Sequence, residues 1–394
     1  MTEFPQSETG EPKRLILFGV ARLSEMLVKG NVSYVRSYEA YFDSVDVVYL
    51  IGRAGRVDLG ERTRLLSLGK GQRFFDYILS PWRLYRFARA KPASLYMTAD
   101  QVFSWWTAIL LKFLLRSRIV LVPVSLPEQL YADKGDSISG LPVWLERKMI
   151  DLSYRMADVV YTAKAFGAFS VELRRRQGVE RKLVVTHSIP EALPSPEFSS
   201  ALQRMPQHDP LRSEPTVNLV YVGRLHSEKL VGDLIELIAR LAKEGPERDF
   251  RLRLVGDGPD REHLEASAGR LGVAGRVAFV GAVANGSIPE ELSKADIFVS
   301  TLTGTSLREA ALYGLPIVAY CRDWIVGLLE HERTALLVAP RDLDAMVAAV
   351  KALADDPQLR SKLSRNAKQL AASLWTTASV RESLHELTTA IDSR

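Results

Sequence analysis

Residues 217–242 read "VNLVYVGRLHSEKLVGDLIELIARLA", and their order decides the fold. Val217 to Val222 is a run of β-branched and aromatic residues with the composition of a buried strand. Gly223 breaks it. From Asp233 to Ala242 the apolar residues recur at three- and four-residue spacing, the period of an amphipathic helix. Strand, glycine turn and helix in that order are part of a βαβ unit, the building block of parallel sheets covered by helices on both faces. The turn holds two cations, Arg224 and Lys229, without a cluster of carboxylates. Ligands of open parallel sheets bind beyond the carboxyl ends of the strands. Two fixed cations there suit a diphosphate neutralised without metal, and a pair of surface cations in a loop is the alternative.

The same alternation runs through the rest of the 394 residues, a length that favours two domains over one core. Strand candidates in the first half are "RLILFG" (14–19), "DVVYLIG" (46–52), "SLYMT" (94–98), "RIVLVPV" (118–124) and "DVVYTA" (158–163). After "VNLVYVG" come "FRLRLVG", "RVAFVG", "DIFVS", "PIVAY" and "ALLVA", each followed by a helix or a short connection. Between the halves, residues 187–215 lose periodicity and collect six prolines. The expected organisation is a first domain over 1–195, a proline-rich linker over 196–215 and a second domain over 216–373. An amphipathic C-terminal helix within 374–394 is expected to pack back on the first domain. Both domains are read as doubly wound α/β.

Apolar residues make up 47 % and charged residues 25 %, values of an ordinary globular protein. One cysteine, Cys321, excludes an internal disulfide framework and a multi-cysteine metal site, which suits a cytoplasmic setting. The first dozen residues are polar and acidic, so no signal peptide is expected. The most apolar helix candidate, Val102 to Leu115, is too short to span a bilayer and carries Lys112. The net charge of +5 is uneven: residues 50–118 hold 13 basic and four acidic side chains. Aromatic residues interleave that stretch, from Phe74, Phe75 and Tyr77 to Trp82, Tyr85 and Phe87. Residues 53–118, with Arg83, Arg86 and Arg89, are therefore a candidate contact for an anionic membrane surface or a phosphorylated acceptor. The competing reading is an amphipathic helix whose aromatics are core and whose arginines are solvated. No nucleic-acid motif accompanies the charge, so nucleic acid is not an expected partner.

Two further strand ends carry signal. "VGDGPDREHLEA" places Gly256 and Gly258 around Asp257, with Pro259 suited to a first helical turn. It is not the dinucleotide fingerprint, whose third glycine would stand at Arg261. "STLTGTSLREAALYGLPIVAY" opens a short helix at Gly304-Thr305-Ser306, and helix N-terminal amides make an anion site. Glu309 lies one turn in, and two readings stand: a ligand contact, or the glutamate of an S-x-x-E capping box begun at Ser306. Asp342-x-Asp344 has the spacing of a metal-binding pair but starts a helix, where a cap is expected.

Taken together and in order, these motifs resemble the donor-binding domain of retaining, GT-B-fold glycosyltransferases of the large family four. The family pattern G-R-L-x-x-E-K, V-G-D-G-P and V-x-F-x-G is met by Gly223 to Lys229, Val255 to Pro259 and Val277 to Gly281, and E-A-x-A-x-G-x-P is met by Glu309 to Pro316 except at Leu312, where the pattern has alanine. The resemblance implies two Rossmann-like domains facing a cleft. It implies a nucleotide-diphospho-sugar such as a UDP- or GDP-sugar as donor, no cofactor, no metal, and a lipid-linked or glycan acceptor in surface polysaccharide or glycolipid synthesis. Arg224 and Lys229 would hold the diphosphate, and Glu309 the ribose hydroxyls. Gly223, Gly256, Gly258, Val280, Gly281, Thr301, Gly304, Thr305, Ser306 and Leu307 would line the donor. On the acceptor side it implies Gly30 and, in the loop after "RIVLVPV", Ser125. One departure bears on activity. The first glutamate of the family's E-x7-E pattern is Thr301 here. A sugar-nucleotide-binding protein without turnover, and a related epimerase or phosphorylase, are the alternatives.

Overall fold

The structure, a computed structural model, describes residues 13–23, 33–71, 73–100, 102, 104–123, 142–163, 168–176, 178–190, 193–211, 215–244, 248–302, 304–322 and 325–393. The chain divides into two units, one of Met1–Lys164, Phe169–Glu191 and Thr377–Arg394, the other of Ala165–Ala168 and Ala192–Thr376.

The first unit carries β1 (Arg14–Arg22), β2 (Ser44–Ile51), β3 (Arg53–Asp58), β4 (Thr63–Lys70), β5 (Leu95–Thr98), β6 (Ile119–Leu121), β7 (Val159–Ala163) and β8 (Leu183–Thr186). They form one sheet in the order β3-β4-β2-β1-β5-β6-β7-β8. Every neighbouring pair is parallel except β3 with β4. Seven of the eight β2 residues are buried, as a central strand covered on both faces requires. β3 is exposed along nearly all its length and carries Arg53, Arg56 and Asp58, charges that protect a sheet edge from pairing with other chains. Strands β3, β4 and β8 were not among the sequence candidates. Fully buried Asp46 on β2 is held by Arg14 and, at 2.6 Å, by Arg64. The helices described in this part of the chain are α1 (Arg73–Ala90), α2 (Ser104–Leu115), α3 (Val143–Met156) and α4 (Ala168–Arg175).

The described residues of 196–215 do not stand apart as a linker. Pro196 starts helix α5 (Pro196–Leu202), capped by Ser195, whose hydroxyl accepts from the Phe198 amide at 3.1 Å. A serine cap with proline at the first helical position is a helix start, which a count of prolines reads as a break. Phe198 is fully buried, and Arg360 donates to the Pro210 carbonyl at 3.0 Å, so the stretch packs on the second unit.

That unit contains β9 (Thr216–Val222), α6 (Val231–Glu244), β10 (Asp249–Val255), α7 (Arg261–Arg270), β11 (Val277–Gly281), α8 (Ile288–Ser293), β12 (Ile297–Ser300), α9 (Thr305–Tyr313), β13 (Ile317–Tyr320), β14 (Leu336–Val338), α10 (Leu343–Asp355) and α11 (Pro357–Leu374). The sheet is parallel throughout, in the order β11-β10-β9-β12-β13-β14. The chain builds outward from β9 to β11, then returns past β9 to lay down β12. The order therefore reverses between β9 and β12. Asp342 caps α10 by accepting from the Ala345 amide at 2.9 Å, and Asp344 pairs with Arg240 at 2.5 Å.

Helix α12 (Thr377–Asp392) rejoins the first unit. Its residues Val380, Leu384, Leu387 and Ile391 are buried, Ser383 accepts from the Ser188 amide at 2.9 Å, and Thr388 shares a 2.7 Å hydrogen bond with Tyr41. Among the described residues no helix is long and apolar enough to cross a membrane.

Candidate functional site

The carboxyl ends of β10, β9 and β12 lie side by side, with Val255 opposite Val222 and Phe298 opposite Val220. The loops that leave them meet at the reversal of strand order, where open α/β sheets form their binding crevice. The β9 loop carries Gly223, Arg224 and the short 3-10 turn Ser227–Lys229, and Leu230 (φ 52°) then reverses the chain into α6. Arg224 is largely exposed and pairs with Glu228 at 2.9 Å, one helical turn on. Lys229 is partly exposed. Buried Tyr221 donates to the Arg224 carbonyl at 3.2 Å and fixes the turn from below.

The β10 loop is packed against the β9 loop rather than left open. Leu225 donates to the Asp257 carbonyl at 3.0 Å and accepts from Asp260 at 3.1 Å. A Cβ on Gly256 would lie 1.9 Å from the Gly223 oxygen, and one on Gly258 would lie 2.2 Å from the Leu225 oxygen. Both glycines are thus required for loop-to-loop contact, a reason separate from the donor-lining place that the resemblance implied for them. Gly281 bonds Gly256 by accepting its amide at 2.8 Å, and half-buried Val280 precedes it.

On the other side, α9 begins with Gly304 as its N-cap and no side-chain cap. Ser306 sits inside the helix and its hydroxyl donates to the Val222 carbonyl at 2.6 Å. The S-x-x-E capping box therefore does not form. Glu309 is buried at 6 % exposure and, among the described residues, its carboxyl takes part in no hydrogen bond. Burial pushes its pKa up to about 7, against the opposing pull of Arg308. The first amides of a helix, here those of Thr305 and Ser306, have no intrahelical acceptor and face an incoming anion. The Leu307 amide is already used, donating to Gly304 at 3.3 Å. Thr301 is fully buried and its hydroxyl donates to the Lys229 carbonyl at 2.5 Å. That hydroxyl holds the β9 loop instead of facing a ligand, a role that no pattern in the sequence announced.

Arg224, Lys229, the α9 N-terminus and Glu309 thus lie on adjacent strand ends of one sheet. They can supply two cations and amide donors to a diphosphate, and a carboxyl to hydroxyl groups. Gly30 and Ser125, the residues expected on the acceptor side, lie outside the described residues.

Comparison with known proteins bears on the same segment. Residues 216–356 match the family described as Glycosyl transferases group 1. The alpha-D-kanosaminyltransferase of Streptomyces kanamyceticus is 32 % identical over 170 residues, covering 42 % of this chain and 44 % of the relative. The lipopolysaccharide core biosynthesis glycosyltransferase LpsD of Rhizobium meliloti is 30 % identical over 194 residues, covering 48 % and 52 %. The chain thus spans about half the length of the curated relatives it matches. In fold the likeness extends along nearly the whole chain: sucrose-phosphate synthase from Thermosynechococcus elongatus gives TM-score 0.70 at 16 % identity, covering 97 % of this chain and 99 % of that one. Anabaena Alr3699/HepE, solved in complex with UDP and glucose, gives 0.67 at 17 % identity over 96 % and 100 %. Residues 216–356 therefore match the group 1 glycosyltransferase family, within a chain that has the GT-B fold of two α/β units.

Proposed function

We propose that the protein is a retaining glycosyltransferase that moves a sugar from a UDP- or GDP-sugar to an acceptor hydroxyl on a lipid-linked or other glycan, at the cytoplasmic side of surface polysaccharide or glycolipid synthesis. The observation that carries this reading is the meeting of Arg224, Lys229, the α9 N-terminus and buried Glu309 at the strand reversal of a group 1 domain. The anomeric carbon–oxygen bond to the diphosphate breaks and negative charge develops on the departing phosphate. Arg224 and Lys229 stabilise that charge beside the Thr305 and Ser306 amides, which the helix holds in place beforehand. The acceptor oxygen bonds the anomeric carbon on the same face, and its proton passes to the departing phosphate oxygen. Glu309 takes the ribose hydroxyls. We assign no metal a part in this reaction, because the two cations already offset the diphosphate.

The Arg224–Glu228 pair is exposed on both sides, and such pairs contribute only about 0–1 kcal/mol, so Arg224 can exchange Glu228 for phosphate at little cost. Arg224→Ala and Lys229→Ala should each weaken UDP or GDP binding by roughly 1.5–3 kcal/mol, the scale of a hydrogen bond to a charged group. Calorimetry of both variants, beside a turnover screen over nucleotide sugars with and without chelator, is the test. Unchanged dissociation constants in both variants overturn the diphosphate assignment, and complete, magnesium-reversible loss of turnover overturns the metal-free one.

Thr301 supports a second reading, a protein that binds sugar nucleotides without transferring sugar. Its position carries no carboxylate, and its hydroxyl is bonded to Lys229. Tight nucleotide binding with no product across the acceptor panel would decide for it.

A further inference from the structure

Helix α1 turns an apolar face outward. Phe75, Ile78, Leu79 and Trp82 are 57 %, 44 %, 44 % and 52 % exposed, and their i, i+3, i+4, i+7 spacing sets them on one stripe of the helix. The opposite stripe, Asp76, Ser80, Leu84 and Ala88, is buried. What anchors the helix is partly polar: Asp76 accepts from the Lys70 and Gly71 amides at 2.7 and 2.9 Å and from Arg83 at 2.6 Å. The competing reading, that the aromatics are core, therefore fails for Phe75 and Trp82. Arg83, named in the sequence with Arg86 and Arg89 as part of the candidate contact, is tied to Asp76.

The face continues on the neighbouring helices. α2 packs beside α1 and exposes Trp106 and Phe113, seven residues apart, with the Trp106 indole donating to the Ile78 carbonyl at 3.5 Å. α3 packs beside α2 and exposes Trp144, with the Lys148 ammonium 5.4 Å from its ring. Eight of the ten large exposed hydrophobic side chains among the described residues lie on these three helices, which makes the face a feature and not scatter.

Its charge is of one sign. Arg86 and Arg89 extend the Trp82 stripe and are exposed, as are Arg116 and Arg118 beyond α2 and Arg147 on α3. Both carboxylates of residues 73–118 are engaged within the fold, Asp76 as above and Asp100 by the Val102 amide at 3.0 Å. Asp151 on α3 pairs with Arg176 at 2.6 Å. Exposed tryptophan and phenylalanine among arginines and lysines is the chemistry of a lipid headgroup region, where amphipathic rings settle at the interface and cations meet phosphates. The core of a protein interface is depleted of lysine, whereas here Lys148 stands against the Trp144 ring.

We propose that the α1–α2–α3 face of the first unit docks on an anionic lipid bilayer. Phe75, Trp82, Trp106 and Phe113 enter the headgroup layer, and Arg86 and Arg89 lie against lipid phosphates. The inference stands apart from the nucleotide site and is tested separately from it. Full-length protein is sedimented with vesicles of phosphatidylcholine alone or mixed with phosphatidylglycerol, at low and high salt. It should pellet with the anionic vesicles, shift its tryptophan emission to the blue, and release as salt rises. Phe75→Ser with Trp82→Ser should weaken partition roughly ten-fold or more, since two large apolar groups stay in water. Arg86→Gln with Arg89→Gln should remove the salt-sensitive share. Circular dichroism and nucleotide affinity should be unchanged in both double variants, so a failure of nucleotide binding in every chain counts against the transferase reading alone. The proposal is overturned if the protein stays in the supernatant with both vesicles at low salt, or if the serine variant pellets like the parent. A parent dimer that the serine variant dissociates, with no vesicle binding, also overturns it and makes the face a self-association surface.

Discussion

Glu309 shows how far a single residue can be read. The S-x-x-E spacing satisfies the rule for a capping box, yet α9 begins at Thr305, and Ser306 falls inside the helix with its hydroxyl on Val222. A shift of one or two residues in a helix start is below what sequence resolves, and here it separates a structural glutamate from a ligand. The carboxyl is left buried and unbonded among the described residues, with its pKa raised from 4.5 to about 7 by desolvation. In the unfolded chain the group ionises near its ordinary value, so the native state keeps its proton longer and loses stability as pH rises from 4.5 toward 7. Glu309→Gln should therefore stabilise the unliganded protein at pH 8, by up to about 3 kcal/mol, and make no difference below pH 4.5. Melting curves of both proteins across that range check the sign. The same variant should bind UDP or GDP more weakly if the carboxylate takes ribose hydroxyls, and a parent-like dissociation constant would remove Glu309 from the site.

At the scale of elements, the second unit was legible because its strands are parallel and most of them, covered on both faces, read as apolar runs, while β10, with Phe250-Arg251-Leu252-Arg253-Leu254, reads by its period of two. β9 to β14 all stand where the sequence candidates were placed. In the first unit the same rule finds β1, β2, β5, β6 and β7 and misses the β3–β4 pair, an antiparallel edge with one strand almost wholly exposed. Its arginines read as part of a basic segment. β8, four residues of which three are only half-buried, has too little apolar length to stand out. The ties between loops were not legible either. Thr301 to Lys229 and Ser306 to Val222 join groups 72 and 84 residues apart, and no local pattern encodes them. The glycines of "VGDGP" could be picked out, but their reason appears only when the β9 and β10 loops are seen in contact. Gly258→Ala should accordingly destabilise the second unit by about 1–3 kcal/mol, the usual cost of forcing extra volume into a packed place. Part of the loss should appear as weaker nucleotide binding, because the displaced Leu225 backbone follows Arg224. Denaturant midpoints give the first quantity and calorimetry the second; a variant as stable as the parent would mean that the loops separate without cost.

For the molecule as a whole, the chain passes from the first unit to the second near residue 191 and comes back at Thr377. The return is not a loose tail. Val380, Leu384, Leu387 and Ile391 of α12 are buried, and the helix is fastened by Ser188 to Ser383 and by Tyr41 to Thr388. Burying an aliphatic side chain contributes about 1.5–3 kcal/mol, so four of them approach the roughly 5–15 kcal/mol that holds a whole domain. The last segment of sequence is thus needed by the first unit, whose strands are finished some two hundred residues earlier. A chain ending at Thr376 should lose the unfolding transition of the first unit or shift it far down in temperature. The second unit has its own core, from Leu219 and Ile235 to Val350 and Leu363, and keeps every residue of the proposed donor site. Its transition and its affinity for UDP or GDP should therefore survive the truncation, while vesicle binding, which belongs to the first unit, should disappear with that unit's fold. Scanning calorimetry with and without nucleotide separates the two effects. If the shortened chain keeps the first unit's transition at the parent temperature, α12 is a covering helix only, and the folding of the first unit does not wait for the end of the chain.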